Sequence, residues 1–184
     1  MAKRTEIRLS GSGGQGLILA GVILAEAAVI YDGKNALQSQ SYGPEARGGA
    51  SKSEVIISDS DIDYPKARGI DVCLALTQEA CNKYSNDIKQ GGVLLVDDEF
   101  VSETPKGDFR VIRLPIITSA KDEVGKAIVA NIVALATLVE LTKVVSHESL
   151  KKAVLARVPK GTEELNKKAL AVGIQLASNL KAPA

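Results

Sequence analysis

The hydrophobic residues of this chain fall into two kinds of run, separated by clusters of glycine, proline and polar residues. Short runs rich in Val, Ile and Leu predict β-strands. Longer runs, several of them preceded by Ser or Thr, predict α-helices. The predicted strands cover residues 6–10, 35–41, 53–58, 70–76, 93–96 and 109–114. The predicted helices cover residues 17–30, 78–88, 119–142, 148–156 and 163–180.

The order of these elements predicts an α/β fold. Strands and helices alternate through most of the chain, which is typical of helices layered on a parallel sheet. The run 70–76, IDVCLAL, has the composition of a strand buried on both faces. Residues 34–58 are candidates for antiparallel strands at one edge. We therefore expect one domain over residues 1–184, an α/β sandwich with a mostly parallel or mixed sheet and a helical C-terminal third.

Local signals predict where several elements begin and turn. Ser119 and Asp122 have the spacing of a capping box, which predicts that the helix 119–142 opens there. Ser146 and Thr162 are expected to cap the next two helices. Helix 17–30 is apolar nearly all round and is expected to be buried. The pair Gly91-Gly92 is expected to turn the chain between a helix and a strand.

Composition excludes several classes of function. The net charge is +1 and aromatic residues make up 3% of the chain, so neither a basic field nor stacking platforms favour nucleic acid as a partner. The apolar stretch 127–139 is interrupted by Asn131 and Thr137 and is shorter than the ~20 residues that span a bilayer. We expect a buried helix there and no membrane partner. The first residues lack a signal-peptide pattern, so we expect a cytoplasmic protein.

A few isolated residues carry expectations of their own. Cys73 and Cys81 have neither disulfide nor CxxC spacing and are expected to be reduced core thiols, with no metal site. Asn131 lies in an apolar helix and must hydrogen-bond a neighbour, for which a nearby turn is the expected partner. His147 is expected to be exposed or part of a cap rather than a general base.

The segment GSGGQG, residues 11–16, lies between a predicted strand and a predicted helix. Gly11, Gly13 and Gly16 match GxGxxG, a position where backbone N–H groups and the helix dipole favour an anion. Two interpretations remain open. The glycines either let the strand and helix pack closely, or the loop abuts a phosphate, a cofactor or another subunit. Four glycines in six residues, with Gln15 as an added donor, favour the second interpretation.

Two nucleotide sites fit this loop poorly. A dinucleotide-binding unit needs an acidic residue at the end of the second strand, where this chain has Gln38 to Ser41. A phosphate-binding P-loop needs Lys followed by Ser or Thr after the glycines, and these are not present.

A second loop, SYGPEARGG at residues 41–49, combines a rigid turn with charged residues. Gly43 and Pro44 form the turn, Glu45 supplies a carboxylate, and Arg47 can clamp a carboxylate or phosphate with two parallel hydrogen bonds. A surface loop with an internal Glu45–Arg47 pair is an equally good interpretation of these residues.

Several motifs occur in order along the chain: GSGGQG, QSQSYGPEARGGASKSEVIIS, GIDVCLALTQEA, GGVLLVD, ANIVALATLVELT and PKGTEELNKKAL. Together they resemble the gamma subunit of 2-oxoacid:ferredoxin oxidoreductases, from about residue 7 to residue 173. The segment SQSYGPEARGG most resembles the sequences of the 2-oxoglutarate enzymes. The pyruvate, branched-chain 2-oxoacid and indolepyruvate enzymes are close relatives.

The resemblance implies a complex that decarboxylates 2-oxoglutarate on thiamine diphosphate with magnesium, reduces ferredoxin through iron–sulfur clusters and forms succinyl-coenzyme A. It implies partner alpha and beta subunits, which hold the thiamine between them, and a ferredoxin-like delta subunit. The gamma chain itself would carry no redox centre and no catalytic residue, in keeping with its two isolated cysteines.

The resemblance also implies which residues of this chain face the shared site, near the entrance for coenzyme A. They would hold its phosphates or brace a partner loop. These residues are Gly11, Gly13, Gly14, Gln15 and Gly16 of the first loop, and Gly43, Pro44, Glu45 and Arg47 of the second. The rival functions are a free-standing nucleotide- or coenzyme A-binding protein and an assembly domain without a ligand.

Overall fold

The computed structural model describes residues 3–41 and 49–180, which form one sheet with helices on both faces. The strands are β1 (Arg4–Ser12), β2 (Asn35–Ser41), β3 (Ala50–Ser58), β4 (Ile70–Ala75), β5 (Ile88–Asp97) and β6 (Arg110–Leu114). The helices are α1 (Leu17–Glu26), α2 (Gln78–Tyr84), α3 (Ile116–Ser119), α4 (Ala130–Thr142), α5 (His147–Arg157) and α6 (Glu163–Asn179). Single π-helical turns follow α1 (Ala27–Tyr31) and α3 (Ala120–Val124), and a 3-10 turn precedes α4 (Ala127–Val129).

The six strands are ordered β2-β3-β1-β4-β5-β6. Strands β1, β4, β5 and β6 run parallel, whereas β3 pairs antiparallel with both β1 and β2. The α/β class and the mixed sheet are therefore confirmed, as is the antiparallel edge, which β2 and β3 form.

The sheet separates a larger core from a smaller one. Alternate residues of a strand point to opposite faces, so Ile7, Leu9 and Leu74 enter the larger core under α1 and α4. Cys73 and Leu94 point the other way, into the smaller core that includes Cys81 of α2. Helix α4 is buried along nearly its whole length, as its apolar sequence predicts.

Helices α4 and α6 approach each other closely at Gly173. A Cβ atom on Gly173 would lie 2.3 Å from the Val133 carbonyl oxygen. Thr137 Oγ1, fully buried, donates to the carbonyl oxygens of Val133 (2.9 Å) and Gly173 (3.0 Å). In residues 3–41 and 49–180, no helix combines the length and apolar character needed to cross a bilayer.

A charged network is built into the other face of β1. The Arg8 guanidinium, almost fully buried, donates to Glu54 Oε1 (2.8 Å) and to both carboxylate oxygens of Asp87. Burial alone would raise the pKa of Glu54, but hydrogen bonds from Lys52 and Arg8 outweigh burial and hold the pKa below its ordinary value. The network joins β1, β3 and the segment after α2.

The prediction of one continuous helix over residues 119–142 is wrong at its start, and only residues 130–142 form α4. Ser119 is the last residue of α3, and its N–H donates to the Pro115 carbonyl, so it does not cap a helix start. The start of α3 is capped instead by the buried carboxylate of Asp97, which accepts the Ile117 N–H at 2.8 Å. The chain then passes through Gly125 before α4 begins at Ala130. A local spacing rule such as the capping box cannot predict this cap, because Asp97 is distant in sequence from the helix start.

The predicted helix 78–88 is too long. Helix α2 ends at Tyr84, and Ile88 already pairs with Ile70 in the sheet. Gly91 and Gly92 lie inside β5, beside an irregularity in its pairing with β4, and do not turn the chain between elements. Pairing along β4 thus overrides the local helical pattern.

Two further expectations about helices need correction, and one is confirmed. Thr162 precedes α6, but its hydroxyl donates to the Pro159 carbonyl (2.7 Å) and caps no backbone N–H group of the helix. Helix 17–30 is exposed on its outer side, where Ile30 is 63% exposed. Ser146 does cap α5, accepting the Ser149 N–H at 3.1 Å.

Candidate functional site

The glycine segment lies at the carboxyl end of β1, beside the end of β4. Gly11 and Ser12 still belong to β1 and pair with Ser51 and Ala50 of β3, so the turn itself covers residues 13–16. The Leu76 N–H donates to the Ser10 carbonyl (3.0 Å), which ties the end of β4 to the same edge. Ligands of open α/β sheets bind at this carboxyl edge.

Hydrogen bonds within the turn fix its shape. The Gln15 N–H donates to the Ser12 carbonyl (3.2 Å), and the Ser12 N–H donates back to Gln15 Oε1 (2.8 Å). Gln15 therefore acts as an acceptor that closes the turn, whereas its sequence predicts a donor. The oxygen of this side chain is committed to the protein itself.

The start of α1 at Gly16 has the features of an anion site. Gly16 has φ 74°, and no side chain caps the helix or places an acidic group in its first turn. By helical geometry the N–H groups of Leu17, Ile18 and Leu19 have no partner within the helix. These groups and the helix dipole favour a negative charge beside the turn.

Close packing, the first interpretation of the glycines, is confirmed at Gly11 and Gly16. A Cβ on Gly11 would lie 2.3 Å from Gln15 Oε1, and one on Gly16 would lie 2.6 Å from Asn131 Nδ2. A side chain at either position would therefore displace Gln15 or Asn131. A Cβ on Gly14 meets nothing within 4 Å, so this glycine leaves open space in front of the turn.

Asn131 links the turn to α4. Its Nδ2 group donates to the Gly16 carbonyl (3.2 Å), and its Oδ1 accepts the Ile132 N–H (3.0 Å). The expectation that Asn131 hydrogen-bonds a neighbouring turn is confirmed. Since Asn131 is buried, this contact fixes the position of the glycine turn against the larger core.

Two cavities open beside the turn and share Gly14, Gln15 and Ile128 in their walls. The larger has a volume of ≈ 320 Å³ and the smaller of ≈ 280 Å³. The larger is walled mainly by apolar side chains, with a few amide and hydroxyl groups. Its lining includes Leu19, Ile132, Val158, Leu165, Asn131, Thr162 and Asn166.

Sequence reasoning missed the part of this site contributed by Ile128. The predicted helix 119–142 has residues 127–129 in its interior, where an isoleucine is expected to be buried. The structure places Ile128 on a 3-10 turn with 80% of its surface exposed. In the sequence, Gly125 is the signal that two helical runs meet here in place of one continuous helix.

The second loop is described only at its ends. Gly43, Pro44, Glu45 and Arg47 lie outside the described residues, and their role stays a prediction. Gly49, where the described chain resumes, accepts the Gly13 N–H through its carbonyl (2.9 Å). The end of the second loop therefore contacts the glycine turn directly.

The cysteines and the histidine lie away from the turn in the roles expected. Cys73 and Cys81 are buried free thiols, and burial raises the pKa of Cys73 to about 12. His147 lies at the start of α5, with a side chain 40% exposed and Nε2 2.8 Å from Glu140 Oε2. The described part of the chain holds no cluster of three or more His, Cys, Asp or Glu residues suited to a metal ion.

Similarity to known proteins extends over nearly the whole chain. The family model for pyruvate ferredoxin/flavodoxin oxidoreductase matches residues 6–176. The chain belongs to this family. A 2-oxoglutarate synthase subunit from Methanocaldococcus jannaschii is 55% identical over 179 residues, which are 96% of this chain and 96% of that protein. The family resemblance inferred from the motifs is confirmed.

Solved structures agree with this assignment. The gamma subunit of a keto/oxoacid ferredoxin oxidoreductase from Geobacter sulfurreducens has a TM-score of 0.89 and 60% identity, covering 96% of this chain and 98% of that one. A 2-oxoglutarate:ferredoxin oxidoreductase from Magnetococcus marinus, solved with 2-oxoglutarate, coenzyme A and succinyl-CoA bound, has a TM-score of 0.84 and 24% identity. This match covers 96% of the present chain and 31% of that longer one, and it demonstrates a shared fold.

Proposed function

We propose that this chain is the gamma-type subunit of a 2-oxoglutarate:ferredoxin oxidoreductase. The observation that carries the proposal is the 55% identity with a 2-oxoglutarate synthase subunit, which extends over 96% of both chains. The complex would convert 2-oxoglutarate, coenzyme A and two oxidised ferredoxins into succinyl-coenzyme A, carbon dioxide, a proton and two reduced ferredoxins.

The chemistry of bond breaking and electron transfer belongs, in this proposal, to the partner subunits. Alpha and beta subunits would bind thiamine diphosphate with magnesium, which stabilises the carbanion formed on decarboxylation. A ferredoxin-like delta subunit and other partner segments would carry the iron–sulfur clusters. The present chain would help to position coenzyme A and close the site, without being catalytic alone.

The glycine turn is the part of this chain proposed to receive coenzyme A. The uncapped start of α1 offers N–H groups to a phosphate, and Gly14 leaves space for its approach. Arg47, on the loop whose end contacts Gly13, would add a guanidinium clamp. The alternative role, in which the turn braces a partner loop, predicts no effect of these residues on coenzyme A affinity.

Substrate identity is tested by co-producing the chain with its alpha, beta and delta partners and measuring viologen or ferredoxin reduction. We expect coenzyme A-dependent activity with the highest kcat/KM for 2-oxoglutarate, compared with pyruvate, 2-oxoisovalerate and indolepyruvate. A higher kcat/KM for one of the other three would overturn the substrate. A visible chromophore or 2-oxoacid oxidation by the isolated chain would overturn the subunit role.

The site role is tested by Arg47→Ala within the assembled complex. We expect a KM for coenzyme A raised by about 10-fold or more, the loss expected for a charge-assisted hydrogen bond, with the KM for 2-oxoglutarate unchanged. Arg110→Ala is a matched control because Arg110 lies exposed on the edge strand β6. Unchanged coenzyme A kinetics in Arg47→Ala would remove Arg47 from the site.

A further inference from the structure

Ile128 is the most exposed large apolar residue among residues 3–41 and 49–180. It projects from the 3-10 turn before α4 with 80% of its surface accessible, between the two cavities that flank the glycine turn. Leu19, on the wall of the larger cavity, is also exposed. A protruding isoleucine with a hollow on each side is the arrangement of an anchor that inserts into a partner protein.

Two lysines flank this apolar surface. Lys126 precedes the turn that carries Ile128, and Lys160 follows Pro159 in the wall of the larger cavity. Both are exposed, and neither ammonium group has a hydrogen bond or ion pair within the part of the chain that the structure describes. Cations beside an apolar anchor, with no counter-ion among the described residues, match a partner surface that carries carboxylates.

We propose that Ile128, Leu19 and the two hollows, flanked by Lys126 and Lys160, form the docking surface for a larger subunit of the complex. We call these residues the Ile128 surface. The partner would offer an apolar socket for Ile128 with carboxylates around it. This inference rests on the proposed function, because it requires that the chain have a partner subunit, and it adds where that partner binds.

Two other occupants fit the surface less well. Small ligands occupy concave sites, whereas Ile128 is a convex feature between two hollows. A second copy of this chain, bound by twofold symmetry, would place the same surface on both sides of the interface. Lys126 and Lys160 of one copy would then face the same lysines of the other, and their charges would repel. The glycine turn, proposed to lie at the active site shared with the larger subunits, is continuous with the surface through Gly14 and Gln15.

The direct test is Ile128→Asp in the chain co-produced with its partner subunits, with Ile30→Asp as control. Ile30 is 63% exposed but lies beyond the opposite end of α1. We expect Ile128→Asp to raise the dissociation constant of the chain from the complex by about 30-fold or more, as for an interface hot spot. Ile30→Asp should change it by less than about 3-fold. Circular dichroism of the isolated variants checks that both fold.

The outcomes of this experiment distinguish failure of the docking surface from failure of the proposed function. Normal assembly of Ile128→Asp would overturn the docking surface, while an active wild-type complex would leave the proposed function standing. A wild-type chain that neither binds the partners nor supports activity would overturn the proposed function itself. A wild-type homodimer that Ile128→Asp dissociates would assign the surface to a second copy and overturn the proposal.

Charge reversal tests the cationic part. In the variant that combines Lys126→Glu with Lys160→Glu, we expect slower association with the partner subunits and a weaker dependence of association on salt. If assembly is unchanged and the KM for coenzyme A alone rises, the lysines serve the coenzyme. That result would overturn their assignment to a partner protein.

Discussion

The hydrogen bond between Asn131 and Gly16 predicts different effects of alanine at two glycines, because it ties the glycine turn to α4. In Gly16→Ala the new Cβ would lie 2.6 Å from Asn131 Nδ2 and 3.2 Å from its Cγ. The buried amide must move and lose its 3.2 Å hydrogen bond to the Gly16 carbonyl. In Gly14→Ala the Cβ meets nothing within 4 Å, although Gly14 also has a positive φ of 95°.

The two variants therefore share one cost and differ in the other. Alanine with a positive φ costs roughly 1–2 kcal/mol, and this applies to both. A buried amide left without its partner costs about 1–3 kcal/mol more, and this applies to Gly16→Ala alone. We expect losses in the free energy of unfolding of about 3 kcal/mol for Gly16→Ala and about 1.5 kcal/mol for Gly14→Ala. For a chain of this size each kcal/mol lowers Tm by about 2–4 °C.

Urea unfolding followed by circular dichroism measures both values, and a double-mutant cycle with Asn131→Ala isolates the contact. Without the Asn131 amide, Gly16→Ala should cost only the backbone contribution, giving a coupling energy of about 1–2 kcal/mol. Equal losses for the two glycine variants, together with zero coupling, would refute the role of Asn131 in holding the turn.

Packing and electrostatics determine the expected effects of changes at Gly173, Cys73 and Arg8. Gly173→Ala should lower the free energy of unfolding by about 2 kcal/mol or more, because the new Cβ would lie 2.3 Å from the Val133 carbonyl oxygen. This clash outweighs the preference of helices for alanine over glycine, which is about 1 kcal/mol. A stabilised variant in urea unfolding would contradict this. A thiol reagent at about pH 8 should leave Cys73 unmodified until the chain unfolds, since burial raises its pKa to about 12; rapid modification of the folded chain would disprove the burial. Arg8→Met should lower the free energy of unfolding by about 3 kcal/mol near neutral pH. This loss should shrink as pH falls below 4.5, because the folded-state pKa of Glu54 lies below that ordinary value and the stabilising contribution of Glu54 is lost on protonation. Urea unfolding at several pH values measures the loss, and a loss that is constant or grows in acid would argue against the Arg8–Glu54 interaction.

The parts of the fold that sequence predicts well are those fixed by local periodicity. The run 70–76 contains the buried strand β4, and β2 and β3 form the antiparallel edge, because alternation and composition reflect burial directly. Boundaries set by distant partners are not encoded locally. Asp97 caps α3 from the end of β5, and pairing of Ile88 with β4 ends the helical region early.

In the candidate site, too, local sequence features are predictable and contacts between distant residues are not. The glycine turn and the need of Asn131 for a partner can be predicted from residue type and position. The pairing of Asn131 with Gly16 joins residues 115 positions apart, so only the tertiary structure reveals it. Ile128 was missed because an apolar residue in an apolar run predicts burial, and its exposure depends on where two helices separate.

Reconstitution by omission tests the central claim most directly. The alpha, beta and delta partners would be purified together without this chain, and 2-oxoglutarate-dependent, coenzyme A-dependent viologen reduction would be measured before and after the chain is added back. The account predicts little activity without the chain and full activity once it has bound at one copy per set of partners. Full activity in its absence, or no binding on addition, would contradict it.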